Sequence, residues 1–123
     1  MGNNTVVGKI TQNVIDALQL SLKADMPIYI GDQNIAHMSK EHPADFQTYF
    51  PYLRDILQNP DYVALHPKRG SLEYIKVFRE ERDVYVLVAV RLTSKKKLFA
   101  RTLFVMSEDK VAKYREEGSL KRV

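Results

Sequence analysis

At 123 residues, with 45% hydrophobic and 28% charged side chains, the chain matches one folded domain and neither a disordered segment nor two domains. It contains no cysteine, which excludes disulfides, thiolate metal sites and a cysteine nucleophile. Lys and Arg number 19 against 15 Asp and Glu, and the resulting +4 is a mild excess that tolerates a polyanionic partner without demanding one.

No apolar run approaches the roughly 20 residues that span a bilayer. The N-terminus also lacks a charged start followed by an apolar segment, so the expectation is a cytoplasmic protein with no membrane partner. Residues 1–5 read as loose, and Val6 to Ile10 as a short first strand. Ile15, Leu18 and Leu22 then recur at helical spacing behind Thr11, a capping residue. Met26-Pro27 interrupts that pattern, and Ile28-Tyr29-Ile30 reads as a strand ended by Gly31. Asp32 or Asn34 can cap a short helix through Ile35, His37 and Met38, which Pro43 stops. The same proline suits the first turn of the next helix. There Phe46, Tyr49, Phe50, Leu53, Ile56 and Leu57 fall on one face, and Pro51 predicts a kink or two abutting helices.

After Asn59-Pro60-Asp61 the pattern changes to strands: Tyr62 to Leu65, Leu72 to Phe78, the valine-rich Tyr85 to Arg91, and Leu98 to Met106. His66 to Gly70, Glu80 to Asp83 and the basic Thr93 to Lys97 are the turns between them. Such short connections predict an antiparallel meander, and Glu108 to Glu117 reads as a closing helix ended by Gly118. The expected fold is α+β: N-terminal helices packed on a twisted antiparallel sheet of about four strands, one domain over residues 1–123.

The order of segments carries a resemblance. PIYIGDQNIAHMSKEHPADF at residues 27–46 resembles the strand-then-helix opening of the phage-associated branch of the barnase/EndoU/colicin/RelE nuclease superfamily. NPDYVALHP at 59–67 looks like the first sheet strand of these proteins, and SLEYIKVF at 71–78 and LFARTLFVM at 98–106 look like the later ones. The resemblance implies RNA cleavage in a helix-plus-sheet cleft without metal or cofactor. It also implies RNA as partner, with tRNA one candidate, a toxin- or effector-like role in a phage or mobile element, and an immunity or inhibitor protein as second partner.

Metal-independent RNA cleavage uses the 2′-hydroxyl as nucleophile on the adjacent phosphate. A base takes its proton, an acid protonates the leaving 5′-oxygen, and fixed donors hold the phosphate as charge shifts. Histidine suits the proton transfers and arginine the phosphate. His37 and His42, on or beside the short helix that the resemblance marks, are the first candidates; the alternatives are packing for His37 and a helix cap for His42. His66, in a proline-bounded loop, reads as structural.

Arg101 and Thr102 interrupt an apolar strand and are the next candidates. Alternation puts Arg101 with Phe99, Leu103 and Val105, and Thr102 with Leu98, Ala100 and Phe104, so both line one surface only if a bulge intervenes. The partner of Arg101 is either a substrate phosphate or a carboxylate such as Glu73 or Asp83. Lys76, alternating with Tyr74 and Phe78, suggests a base-stacking array, with a solvated sheet face as the alternative. Lys95, Lys96 and Lys97 form a basic loop that is either solvated or grips phosphate backbone.

His37 and His42 stand five residues apart, where paired helical ligands favour three or four, so metal catalysis finds little support. No glycine-rich phosphate loop and no serine-hydrolase elbow is present. Two other readings remain open on sequence: a catalytically weak RNA- or protein-binding module of a mobile element, and a small phage structural component. Cleavage separates the first reading from both.

Overall fold

The computed structural model describes residues 3–123. In chain order it forms β1 (Asn4–Lys9), α1 (Gln12–Leu18), β2 (Pro27–Gly31), α2 (Asp32–Glu41), α3 (Pro43–Tyr49), a 3-10 turn (Phe50–Tyr52) and α4 (Leu53–Gln58). Then follow β3 (Tyr62–Leu65), β4 (Leu72–Arg79), β5 (Asp83–Leu92), β6 (Leu98–Val105), α5 (Glu108–Glu116) and β7 (Lys121–Arg122). Asn4 and Thr5, expected to be loose, belong to β1, and residues 1 and 2 lie outside the described residues.

Local chemistry accounts for most of the boundaries. The Thr11 hydroxyl accepts from Val14 N at 3.4 Å to open α1, and Gln19 ends it in the left-handed region at φ 54°. Pro43 is tolerated in the first turn of α3 because a first-turn N–H has no intrahelical acceptor to lose. Pro51 breaks the long apolar face into α3 and α4, with the 3-10 turn between them, so two abutting helices form.

The sheet has seven strands in the order β1-β2-β6-β5-β4-β3-β7, not about four. Nor is it wholly antiparallel: the β3-to-β6 meander is, but β2 runs parallel to β6. The extra strands are β1 and β2 at one edge and the two-residue β7 at the other. Their partners lie far along the chain, and local alternation carries no trace of such pairing.

The sheet is covered on both faces. On one, α1, α3 and α4 pack Val14, Leu18, Tyr49, Leu53 and Ile56 against Ile28, Tyr74, Val88, Leu98 and Leu103. On the other, α5 lays Val111 and Tyr114 over Ala64, Ile75, Leu87 and Met106. Ser107 caps α5 by accepting from Lys110 N at 3.1 Å. Burial, with Glu73 beside it, raises the Tyr114 hydroxyl above the ordinary tyrosine range, so it stays a donor. It donates to Glu73 Oε1 at 2.7 Å, and Glu73 is only 3% exposed.

Tyr114→Phe therefore removes the donor from a buried carboxyl. We expect a loss of about 1–3 kcal/mol in unfolding free energy. In urea the midpoint falls while the slope is unchanged; an unaltered midpoint refutes the pinning role. Among the described residues no helix is long and apolar enough to cross a membrane.

Candidate active site

The site begins where β2 leaves the sheet. β2 pairs with β6 only at Ile28↔Leu98 and Tyr29↔Phe99 before the chain turns into α2. Gly31 is the residue that makes the turn. It takes the N-cap position of α2, and Asn34 Oδ1 accepts from its N–H at 2.9 Å. A β-carbon there would meet Asn4 Oδ1 at 2.7 Å, so only glycine fits without displacing a neighbour. Beyond Phe99 the outer edge of β6 faces helices instead of a strand. There Asp45 Oδ2 accepts from Val105 N at 2.9 Å, satisfying a backbone donor that a neighbouring strand would otherwise take.

The opposite edge of β6 carries a bulge. Ala89 stands against Thr102 and Val90 against Ala100, which leaves Arg101 without a partner on β5. The extra residue reverses the alternation. Leu98, Ala100 and Leu103 all enter the helix-side core, whereas Phe104 and Met106 pack on the α5 side. The face assignment from simple alternation is thereby corrected: Arg101 no longer shares a face with Leu103, nor Thr102 with Ala100. Arg101 and Thr102 are successive residues presented to the face that carries Phe99 and Phe104.

Arg101 lines a cleft of about 600 Å³ with His37, Phe99, Thr93, Asn4 and the start of α2 from Gly31 to Asn34. His37, exposed on α2, has its Nε2 3.8 Å from Glu41 Oε1, one helical turn on. Neither Glu73 nor Asp83 partners Arg101. Glu73 holds Tyr114, and Asp83 holds Arg79 at 2.7 Å. Among the described residues Arg101 enters no salt bridge, and it is exposed.

His42 lies farther along the same seam and does not line this cleft. At the junction of α2 and α3, its half-buried ring sits 5.2 Å from that of Phe104, tilted by 32°. It occupies the N-cap position of α3 but makes no side-chain capping bond. Lys110 of α5 places its ammonium 4.8 Å from the centroid of the same Phe104 ring. Thr102, half-buried, stands between Arg101 and Phe104 along β6.

Lys76 does not join this group. Its strand neighbours Tyr74 and Phe78 belong to the helix-side core, so alternation turns Lys76 to the face opposite Arg101. Its ammonium donates to Asn59 O at 2.8 Å and lies 3.7 Å from Asp55. Nor is there a stacking array around it. Tyr74 is fully buried, and Phe78 packs against Tyr49 and Tyr52 at 5.1 and 5.3 Å. His66 braces its own loop: its Nδ1 accepts from Lys68 N at 3.2 Å and Arg69 N at 3.1 Å. Among the described residues no three of His, Asp and Glu gather as a metal-ligating cluster.

Sequence reasoning missed Phe99 and Tyr29. Each is an aromatic residue alternating with buried aliphatics, the pattern of a ring on the other face of a strand. The pairing that brings them together joins residues far apart in sequence.

A family model described as phage-Barnase-EndoU-ColicinE5/D-RelE like nuclease 3 matches residues 4–113. Comparison with curated proteins and with solved structures finds no match.

Proposed function

Since the chain belongs to this phage-associated nuclease family, we propose that it is a metal-independent endoribonuclease working in the seam between α2 and β6. The observation that carries the reading is one cleft lined by both His37 and Arg101, an arginine with no ion pair among the described residues. An arginine without a carboxylate partner, aimed by a bulge into a cleft beside an imidazole, suits a phosphate whose neighbouring hydroxyl must lose a proton.

In this mechanism a histidine takes the 2′-hydroxyl proton and the 2′-oxygen attacks phosphorus. The bond to the 5′-oxygen breaks, and that oxygen leaves with a proton from the second acid. The products are a 2′,3′-cyclic phosphate and a 5′-hydroxyl. His37 makes one of the two transfers, Arg101 holds the phosphate oxygens as charge shifts, and the Thr102 hydroxyl donates beside it. His42, packed on Phe104 outside the cleft, makes the other only where the RNA runs along the seam to reach it. Lys76 has no part. A toxin- or effector-like role in a phage or mobile element, held in check by an immunity protein, accompanies this reading.

The test is incubation of the purified protein with total RNA and with tRNA in chelator, followed by analysis of the new 3′ ends. Cleavage persists and leaves cyclic phosphate ends. Strict dependence on added magnesium or zinc overturns the mechanism.

A further inference from the structure

The face of the sheet that α5 covers is only partly covered. α5 packs over Ala64, Ile75, Leu87 and Met106, with Phe104 and Ala89 at its margin. The same face then continues past the helix to Arg91, Phe99 and Tyr29. Arg91 is the cross-strand partner of Phe99, and Tyr29 is its partner on the other side. The Tyr29 and Phe99 rings lie 5.6 Å apart between centroids, tilted by 34°, and both are half-buried. The Lys97 ammonium reaches 5.7 Å from the centroid of Tyr29.

Phe99 thus has a cation on three sides: Arg91 across the strand, Arg101 along it, and Lys97 beyond Tyr29. None of the three enters a salt bridge among the described residues. Other exposed cations, such as Lys40 and Lys113, are also outside salt bridges, so what sets these three apart is their place round an aromatic pair. An aromatic pair on open sheet, ringed by unmatched cations and opening into the cleft of His37, is complementary to a polyanion that carries its own flat apolar faces.

We propose that Phe99, backed by Tyr29, is a stacking site for one unpaired base of single-stranded RNA. Arg91 and Lys97 take the phosphates that flank that nucleotide. This rests on the nuclease reading and adds a requirement to it: the nucleotide next to the scissile phosphate must be out of a duplex. Base-on-aromatic stacking tolerates any base, because each has a π face, and it is closed to a base already stacked and paired in a helix. The site therefore discriminates by strandedness and only weakly by sequence.

The test uses the full chain carrying His37→Ala to suppress turnover, with a labelled ten-nucleotide RNA, free or annealed to its complement. The single strand binds about tenfold or more tighter than the duplex. Adding Phe99→Leu, which keeps an apolar side chain but removes the ring, weakens single-strand binding about tenfold and leaves duplex binding unchanged. Lys97→Ala, in the exposed hairpin, lowers single-strand affinity and flattens its salt dependence. A folded Phe99→Leu protein that binds the single strand within twofold of its parent overturns the stacking site. So does a duplex that binds as tightly as the single strand.

The two readings fail separately. Phe99-dependent binding by a wild-type protein that cleaves no RNA supports the stacking site and sinks the nuclease. Cleavage with ring-independent binding does the reverse.

Discussion

Arg101→Ala slows RNA cleavage by about a hundredfold or more, while the affinity for uncleaved RNA falls by much less. The difference follows from when the guanidinium matters. Other cations around the cleft share in attracting the ground-state polyanion, but the proposed role of Arg101 is to meet the phosphate oxygens as they gain charge. Losing one such preorganised donor typically costs roughly 3–4 kcal/mol in the barrier. The structure also removes the usual confusion. Arg101 is exposed, sits at a bulge and holds no carboxylate among the described residues, so alanine there leaves no buried charge unpaired. Its unfolding curve should match that of the wild type. Lys96→Ala in the hairpin loop is the comparison: binding weakens modestly, its salt dependence drops, and the rate at saturating RNA holds. An Arg101→Ala protein that is folded and cuts at the parental rate, or a folded Lys96→Ala protein that no longer cuts, reverses these assignments.

His37→Ala is the second large effect, with cleavage down by about a hundredfold to ten-thousandfold, the range for removal of a proton-transfer group. The loss falls on kcat with the affinity for uncleaved RNA little changed, a split that a merely structural residue would not produce. Folding is again a weak objection, since His37 is exposed on α2 and alanine is the better helix former. His42→Ala is less clean, because its ring also packs on Phe104. A folded His37→Ala protein retaining the parental rate excludes His37 from the chemistry.

Local chemistry made much of this molecule readable in advance. Pro43 and Pro51 set helix boundaries by what a proline ring forbids, and the valine-rich stretch before Arg91 is a strand wherever it is placed. Arg101 stood out because a charge in an apolar strand requires a partner, and His37 because an imidazole suits proton transfer on the helix that the resemblance marks; the cleft brings them together. Lys76 shows the limit of the same reasoning. Its alternation with Tyr74 and Phe78 was read correctly, but alternation gives which residues share a face, not which face is open. β4 is covered on both sides, so both faces carry apolar residues. The bulge at Arg101 and the parallel pairing of Tyr29 with Phe99 depend on strands brought together only in the folded chain. One inverts the face assignment of the best candidate, and the other creates the aromatic pair beside it.

The strand order has a consequence for anything joined to this protein. The first and last strands in sequence, β1 and β7, are also the two outermost strands of the sheet. Counted along the sheet, they stand six strand spacings apart. A fusion partner or surface tether attached through β1 emerges beside Asn4, on the rim of the cleft, and can crowd incoming RNA. One attached through β7 emerges at the far edge, beside β3, and leaves the entrance clear.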